Sequence, residues 1–112
     1  MRKLRSYKAK CKKLDYTKVA RNPDKYKGEF AKVTGKVLQV SEGWSNKVVC
    51  RIGESRDKIW YVNYTRKEGE PRILENDTVT FYGKCDGVTT YTAVLGNSIT
   101  IPELDAEYAV IK

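Results

Sequence analysis

The chain has 112 residues, 40% of them hydrophobic, which is enough for one modest core and not for two. Charged residues make up 32%, and β-branched and aromatic side chains run through the middle, a composition that excludes a disordered chain. No window approaches the roughly 18 uninterrupted apolar residues of a membrane-spanning helix, and the formal net charge is +8.

That charge is concentrated at one end. Residues 1–21 hold nine basic side chains (Arg2, Lys3, Arg5, Lys8, Lys10, Lys12, Lys13, Lys18, Arg21) against one acid, Asp15; the rest of the chain is neutral overall. The expected organisation is a basic N-terminal arm over 1–13, able to tether to phosphate through charge alone, followed by a single domain over 14–112. The stretch from Met1 to Lys8 has charge without an apolar centre, so it reads as no signal peptide, and any export signal or anchor would lie upstream.

From Leu14 to Lys27 the spacing of Leu14, Val19 and Tyr26 is helical, with Asp15 placed to accept first-turn N–H groups. Pro23 disfavours helix at Asn22, so the pattern predicts two short turns, Asp15–Arg21 and Pro23–Tyr26, or one kinked helix. From Glu29 onward short strands alternate with turn signals. Phe30–Ser41 reads as a long first strand with Ala31, Val33 and Val37 inward. After Glu42–Asn46, the run Lys47–Ile52 turns Val48, Cys50 and Ile52 inward and Val49 and Arg51 outward. Lys58–Thr65 puts Trp60, Val62 and Tyr64 in the core. Ile73 and Leu74, in a polar loop over 66–76, are expected to plug a barrel end as a helical turn. Asp77–Cys85 and Thr89–Leu95 form two strands joined by an Asp86-Gly87 turn, Ser98–Ile101 follows, and Ala106–Ile111 adds an edge strand. The set predicts a mainly β fold: a small five-to-six-stranded OB-like Greek-key barrel with a short N-terminal helix, its main rival an SH3-like barrel.

Catalysis finds few groups to use. The chain has no histidine, which removes the commonest general base, the Ser–His and Cys–His pairs and imidazole ligation together. Cys11, Cys50 and Cys85 lack the spacing of a zinc or redox motif, and no glycine run forms a phosphate loop. The acid pairs Glu68 and Glu70, and Asp105 and Glu107, have no apolar surroundings to separate their pKa values. The expectation is a protein that is no enzyme and carries neither metal nor cofactor.

The run Arg21-Asn22-Pro23-Asp24-Lys25-Tyr26-Lys27-Gly28, leading into Val33-Thr34-Gly35-Lys36-Val37, resembles the opening of tRNA-anti-like OB domains. With residues 61–70 (YVNYTRKEGE), Thr80-Phe81-Tyr82-Gly83 and residues 91–96 (YTAVLG), the chain from Tyr7 to Tyr108 resembles OB-like modules of Gram-positive bacteria and their phages. Those modules typically end secreted, lipid-anchored or membrane-anchored proteins, and no activity is established for them. The resemblance also implies a disulfide, since Cys11 and Cys85 occupy the places of a cysteine pair in those modules; it would persist only in an oxidising compartment. Cys50, inward between Val48 and Ile52, reads as a small core residue.

An OB-type barrel usually binds on the outer face of its second and third strands and the loop joining the first two. That face selects Trp44, Lys47, Arg51, Tyr61 and Asn63, with Arg66 and Lys67 at its rim. Trp44, flanked by Gly43, Ser45 and Lys47, either stacks on a ligand or folds down as a lid; Tyr61, Tyr82 and Tyr91 taken singly are more often packing residues. Three functions follow in order. The first is an extracytoplasmic, non-catalytic, monomeric module recognising a protein or cell-envelope partner. The second is a binder of single-stranded nucleic acid, and the third a phage-borne inhibitor occupying a host protein's nucleic-acid site.

Overall fold

A computed structural model describes residues 2–112, with side chains from Arg5 onward. Three short helices precede five strands: α1 (Arg2–Lys10), α2 (Tyr16–Arg21), α3 (Pro23–Tyr26), β1 (Phe30–Glu42), β2 (Lys47–Ser55), β3 (Lys58–Thr65), β4 (Thr78–Thr92) and β5 (Ser98–Ile111). The strands close into a barrel in the order β1-β2-β3-β5-β4, antiparallel except for the parallel β3–β5 pair. This is the OB-like barrel expected, with five strands.

The helical segment forms as its residues dictate. Asp15 caps α2, its carboxylate accepting the Lys18 N–H at 3.0 Å, and Pro23 starts α3. Val19 of α2 is fully buried, and Tyr16 meets Trp60 edge-to-face at 5.8 Å, so the helices close one end of the barrel. Alternation along the strands fills the interior with Val33 and Val37, Cys50 and Ile52, Trp60 and Val62, Val79 and Phe81, and Leu104.

Several expectations give way to longer-range pairing. The basic segment is helical, which the sequence pattern did not indicate: Tyr7 of α1 lies edge-to-face on Phe30 at 5.4 Å and on Tyr108 at 5.2 Å. Asp86-Gly87 is no hairpin turn. β4 runs straight through it with one residue extra relative to β5 between Cys85 and Val88, and Gly87 takes φ +76° there. An Asp-Gly pair serves a bulge as readily as a turn, because both need the left-handed conformation. The chain reverses later, over residues 93–97, where the Ala93 N–H bonds the Asn97 carbonyl at 2.8 Å. Ala106–Ile111 is the second half of β5 and pairs with β4 as far as Ile111, so it is no separate edge. Ile73 is buried, while Leu74 is exposed and the loop has no helical turn.

The cysteine pairing is also corrected. Cys11, Cys50 and Cys85 are three buried free thiols. Cys85 points into the core cluster, whereas Cys11 lies outside it at the foot of α1, its N–H on the Lys8 carbonyl. Burial pushes all three thiols up, Cys50 to about 12.

Candidate functional site

The β-alternation that buries Ile52 and Trp60 turns their neighbours outward, and register aligns them. Gln39, Arg51, Tyr61 and Glu103 form one row across β1, β2, β3 and β5; Ser41, Val49, Asn63 and Asp105 form the next. The β4–β5 hairpin projects beyond the barrel and arches over the β1–β2 end of these rows. Between hairpin and sheet lies an open cleft of about 680 Å³. Its floor is Gln39, Ser41, Val49, Arg51 and Tyr61, and its other wall comes from Tyr91, Val94, Leu95 and Ile99.

One contact ties floor to wall. The Arg51 guanidinium donates to the Tyr91 hydroxyl at 2.9 Å and sits 4.8 Å from that ring's centroid. Among the described residues it is the one charged side chain lining the cleft. At the hairpin tip Val94 and Leu95 are fully exposed. The β1–β2 loop, which follows the cleft residue Ser41, carries Trp44 in a single turn with Ser45 and Asn46 at positive φ, and its indole is 93% exposed. Trp44 is therefore no lid. Two loop tips thus present large apolar groups to solvent.

Arg51 and Tyr61 line the cleft. Lys47 and Asn63 line a smaller groove beside it, of about 340 Å³, between β2, β3 and β5. The Asn63 amide donates to Glu103 at 2.6 Å and to Asp105 at 3.0 Å. Both acids, near Asp86, are pushed above the usual carboxylate range, by burial first and by the neighbouring acids as well. Arg66 lies near the β1–β2 loop, its N–H on the Asn46 carbonyl at 2.9 Å and its guanidinium on the Glu70 carbonyl. Lys67 faces away from the cleft, over the Tyr64 and Tyr108 rings.

Sequence reasoning missed the hairpin wall, because Tyr91 read as packing and the turn was set at Asp86-Gly87. The fully apolar Val94-Leu95 ahead of Gly96-Asn97 was its available signal.

No protein-family model and no curated protein matches this chain. Solved structures do match. The aspartyl tRNA synthetase from Entamoeba histolytica shares 10% sequence identity at a TM-score of 0.64, over 95% of this chain and 22% of that one. The chain thus spans about a fifth of that protein's length, and the likeness is one of fold.

Proposed function

We propose that the chain is a non-catalytic binding module whose cleft takes an extended segment of a protein partner. The observation that carries this reading is the chemistry of the cleft: aliphatic, tyrosine and small polar groups around one charged side chain, itself engaged by Tyr91. A phosphate chain binds along a path of cations, and among the described residues the cleft offers a single one. A peptide in extended form needs apolar hollows for alternate side chains and a few fixed polar groups, which Val49, Leu95 and Ile99 with Gln39 and Ser41 supply. The absence of histidine and three buried thiols with raised pKa values support the non-catalytic part. Action outside the cytoplasm and a cell-envelope partner rest on the resemblance alone, since the thiols are unpaired.

A displayed random-peptide library, selected on the whole chain, tests the reading. The expected ligands bind with affinity that barely changes between about 50 and 200 mM salt, and lose it in Val49→Asp and Tyr61→Ala. Failure to enrich any ligand competing for those residues would sink it.

A second reading has its own support: single-stranded nucleic acid stacked on Trp44 and Tyr61. It draws on the exposed indole and on a fold shared with a protein whose name places it on tRNA. Its mark is affinity falling steeply with salt and lost in Trp44→Ala.

A further inference from the structure

The barrel carries a second surface of opposite chemistry, away from the cleft. Register sets Lys32 of β1 opposite Tyr82 of β4, Tyr82 opposite Tyr108 of β5, and Lys84 opposite Phe30. The helix α1 lies on this face through Tyr7. We propose that it is a binding site for the backbone phosphates of a phosphodiester chain, gripped without regard to base identity. This goes beyond the cleft reading and does not depend on it.

Three observations carry the assignment. The first is density of cations held in place by rings. Lys8 lies 5.2 Å from the Tyr82 centroid, Lys10 and Lys84 lie 5.4 and 5.2 Å from that of Phe30, and Lys67 lies 4.7 Å from that of Tyr108. Stems packed along rings leave ammonium heads in water at fixed positions, so little side-chain entropy remains to be lost on binding. Lys32 adds a fifth, exposed between them.

The second is that, among the described residues, none of these lysines is held in an ion pair. α1 contains no acid. The ion pair found among the described residues, Arg72 with Glu42, lies outside this face. Asp105, opposite Lys84 in register, bounds the face as an acid whose carboxylate is turned to the Asn63 amide without an ion pair to Lys84. Glu107 accepts from Lys67 through its backbone carbonyl, and its carboxylate, near Tyr7, is a second acid at the edge of the face.

The third separates a phosphodiester chain from an anionic bilayer. An interfacial surface inserts exposed apolar groups beside its cations. Here the rings of Tyr7, Phe30, Tyr82 and Tyr108 are half-buried, three of them linked through Tyr7, while the exposed Val94 and Leu95 stand at the cleft and Trp44 in the β1–β2 loop.

The probes are a fluorescent oligothymidylate and an abasic oligodeoxynucleotide of equal length, titrated with the whole chain at several salt concentrations. Five phosphate contacts, one for each lysine, give a log–log salt slope of about −3.5, an affinity loss of about a hundredfold between 50 and 200 mM. The abasic chain should bind about as well as oligothymidylate. Lys32→Gln with Lys84→Gln should lower affinity about tenfold and flatten the slope by about 1.4, and the matching arginine variants should restore both. All these side chains are exposed, and an unchanged melting temperature confirms the fold. The proposal is overturned if Arg56→Gln with Lys58→Gln weakens binding equally, since net charge alone would then act. It is overturned too if the abasic chain does not bind, if Trp44→Ala abolishes binding, or if phosphatidylglycerol vesicles bind and the polymers do not.

Discussion

The two outer faces of this barrel are built by the same strands under the same alternation, yet they differ in nearly every physical respect. On the cleft face, β1, β2 and β3 turn out Gln39, Val49, Arg51 and Tyr61 under a hairpin whose tip is bare aliphatic surface. On the other, the first half of β1 and β4 turn out Lys32 and Lys84 around half-buried rings, and α1 adds Lys8 and Lys10. A bulge between Val37 and Gln39 separates the halves of β1, so one strand serves both faces with different partners. Between them on β5 stand Glu103 and Asp105, held by Asn63. The neutral body read from composition is therefore an average over a cationic face, a nearly uncharged cleft and an acidic strip between them, and the difference teaches that net charge by itself places no ligand.

The largest expected effect comes from breaking the backbone that holds both faces together. A Cβ on Gly83 would stand 2.1 Å from the Asp105 carbonyl oxygen and 2.6 Å from the Ala106 Cα, and backbone atoms cannot yield. Gly83→Ala should cost about 3 kcal/mol or more, or abolish cooperative unfolding, in urea titration. A variant with wild-type stability would mean that β4 and β5 do not cross as closely as described.

A second experiment asks whether the faces open independently. Cys11 sits under α1 at 9% exposure, Cys85 at 1% and Cys50 at zero. Alkylation of the native protein should label Cys11 first, about tenfold faster than Cys50, because releasing a short helix is a local opening and exposing Cys50 is a global one. Intact mass before reduction should show three free thiols. Equal rates would tie α1 to the global unfolding of the barrel.

What could be read from the sequence follows the range of the forces involved. Asp15, Pro23 and the alternation of Lys58–Thr65 are local signals, and α2, α3 and β3 form where they point. Arg51 and Tyr61 reach the cleft because strand parity alone turns them outward. α1 was illegible, since its apolar anchor Tyr7 packs on Phe30 and Tyr108 from distant strands. The β4–β5 wall was illegible for a related reason: whether Asp86-Gly87 reverses the chain or bulges it is decided by the partner strand, not by the pair itself.

A smaller effect sharpens the cleft. Arg51→Ala and Tyr91→Phe, singly and together, should show a coupling of about 1 kcal/mol in stability from the hydrogen bond that joins floor to hairpin, since phenylalanine keeps the ring. No coupling would mean that the hairpin stands free of the sheet in solution.

The smallest effect belongs to the acids between the faces. Asp105 is raised by burial and by Asp86, and Glu103 by burial and by Asp86 and Asp105. A carboxylate raised on folding binds protons more readily in the folded than in the unfolded chain. Stability therefore falls as pH rises from the ordinary aspartate value through the raised one, and the full penalty is present above it. Asp105→Asn keeps an acceptor for the Asn63 amide and removes the charge. It should raise the melting temperature at neutral pH by the equivalent of a few tenths of a kcal/mol, solvent screening keeping the gain small, and give no gain below the window. The same variant removes the acid opposite Lys84, so oligothymidylate affinity should rise modestly while binding in the cleft stays unchanged. An equal rise at both surfaces would mean that the acids act through the net charge of the protein rather than as a barrier between its two faces.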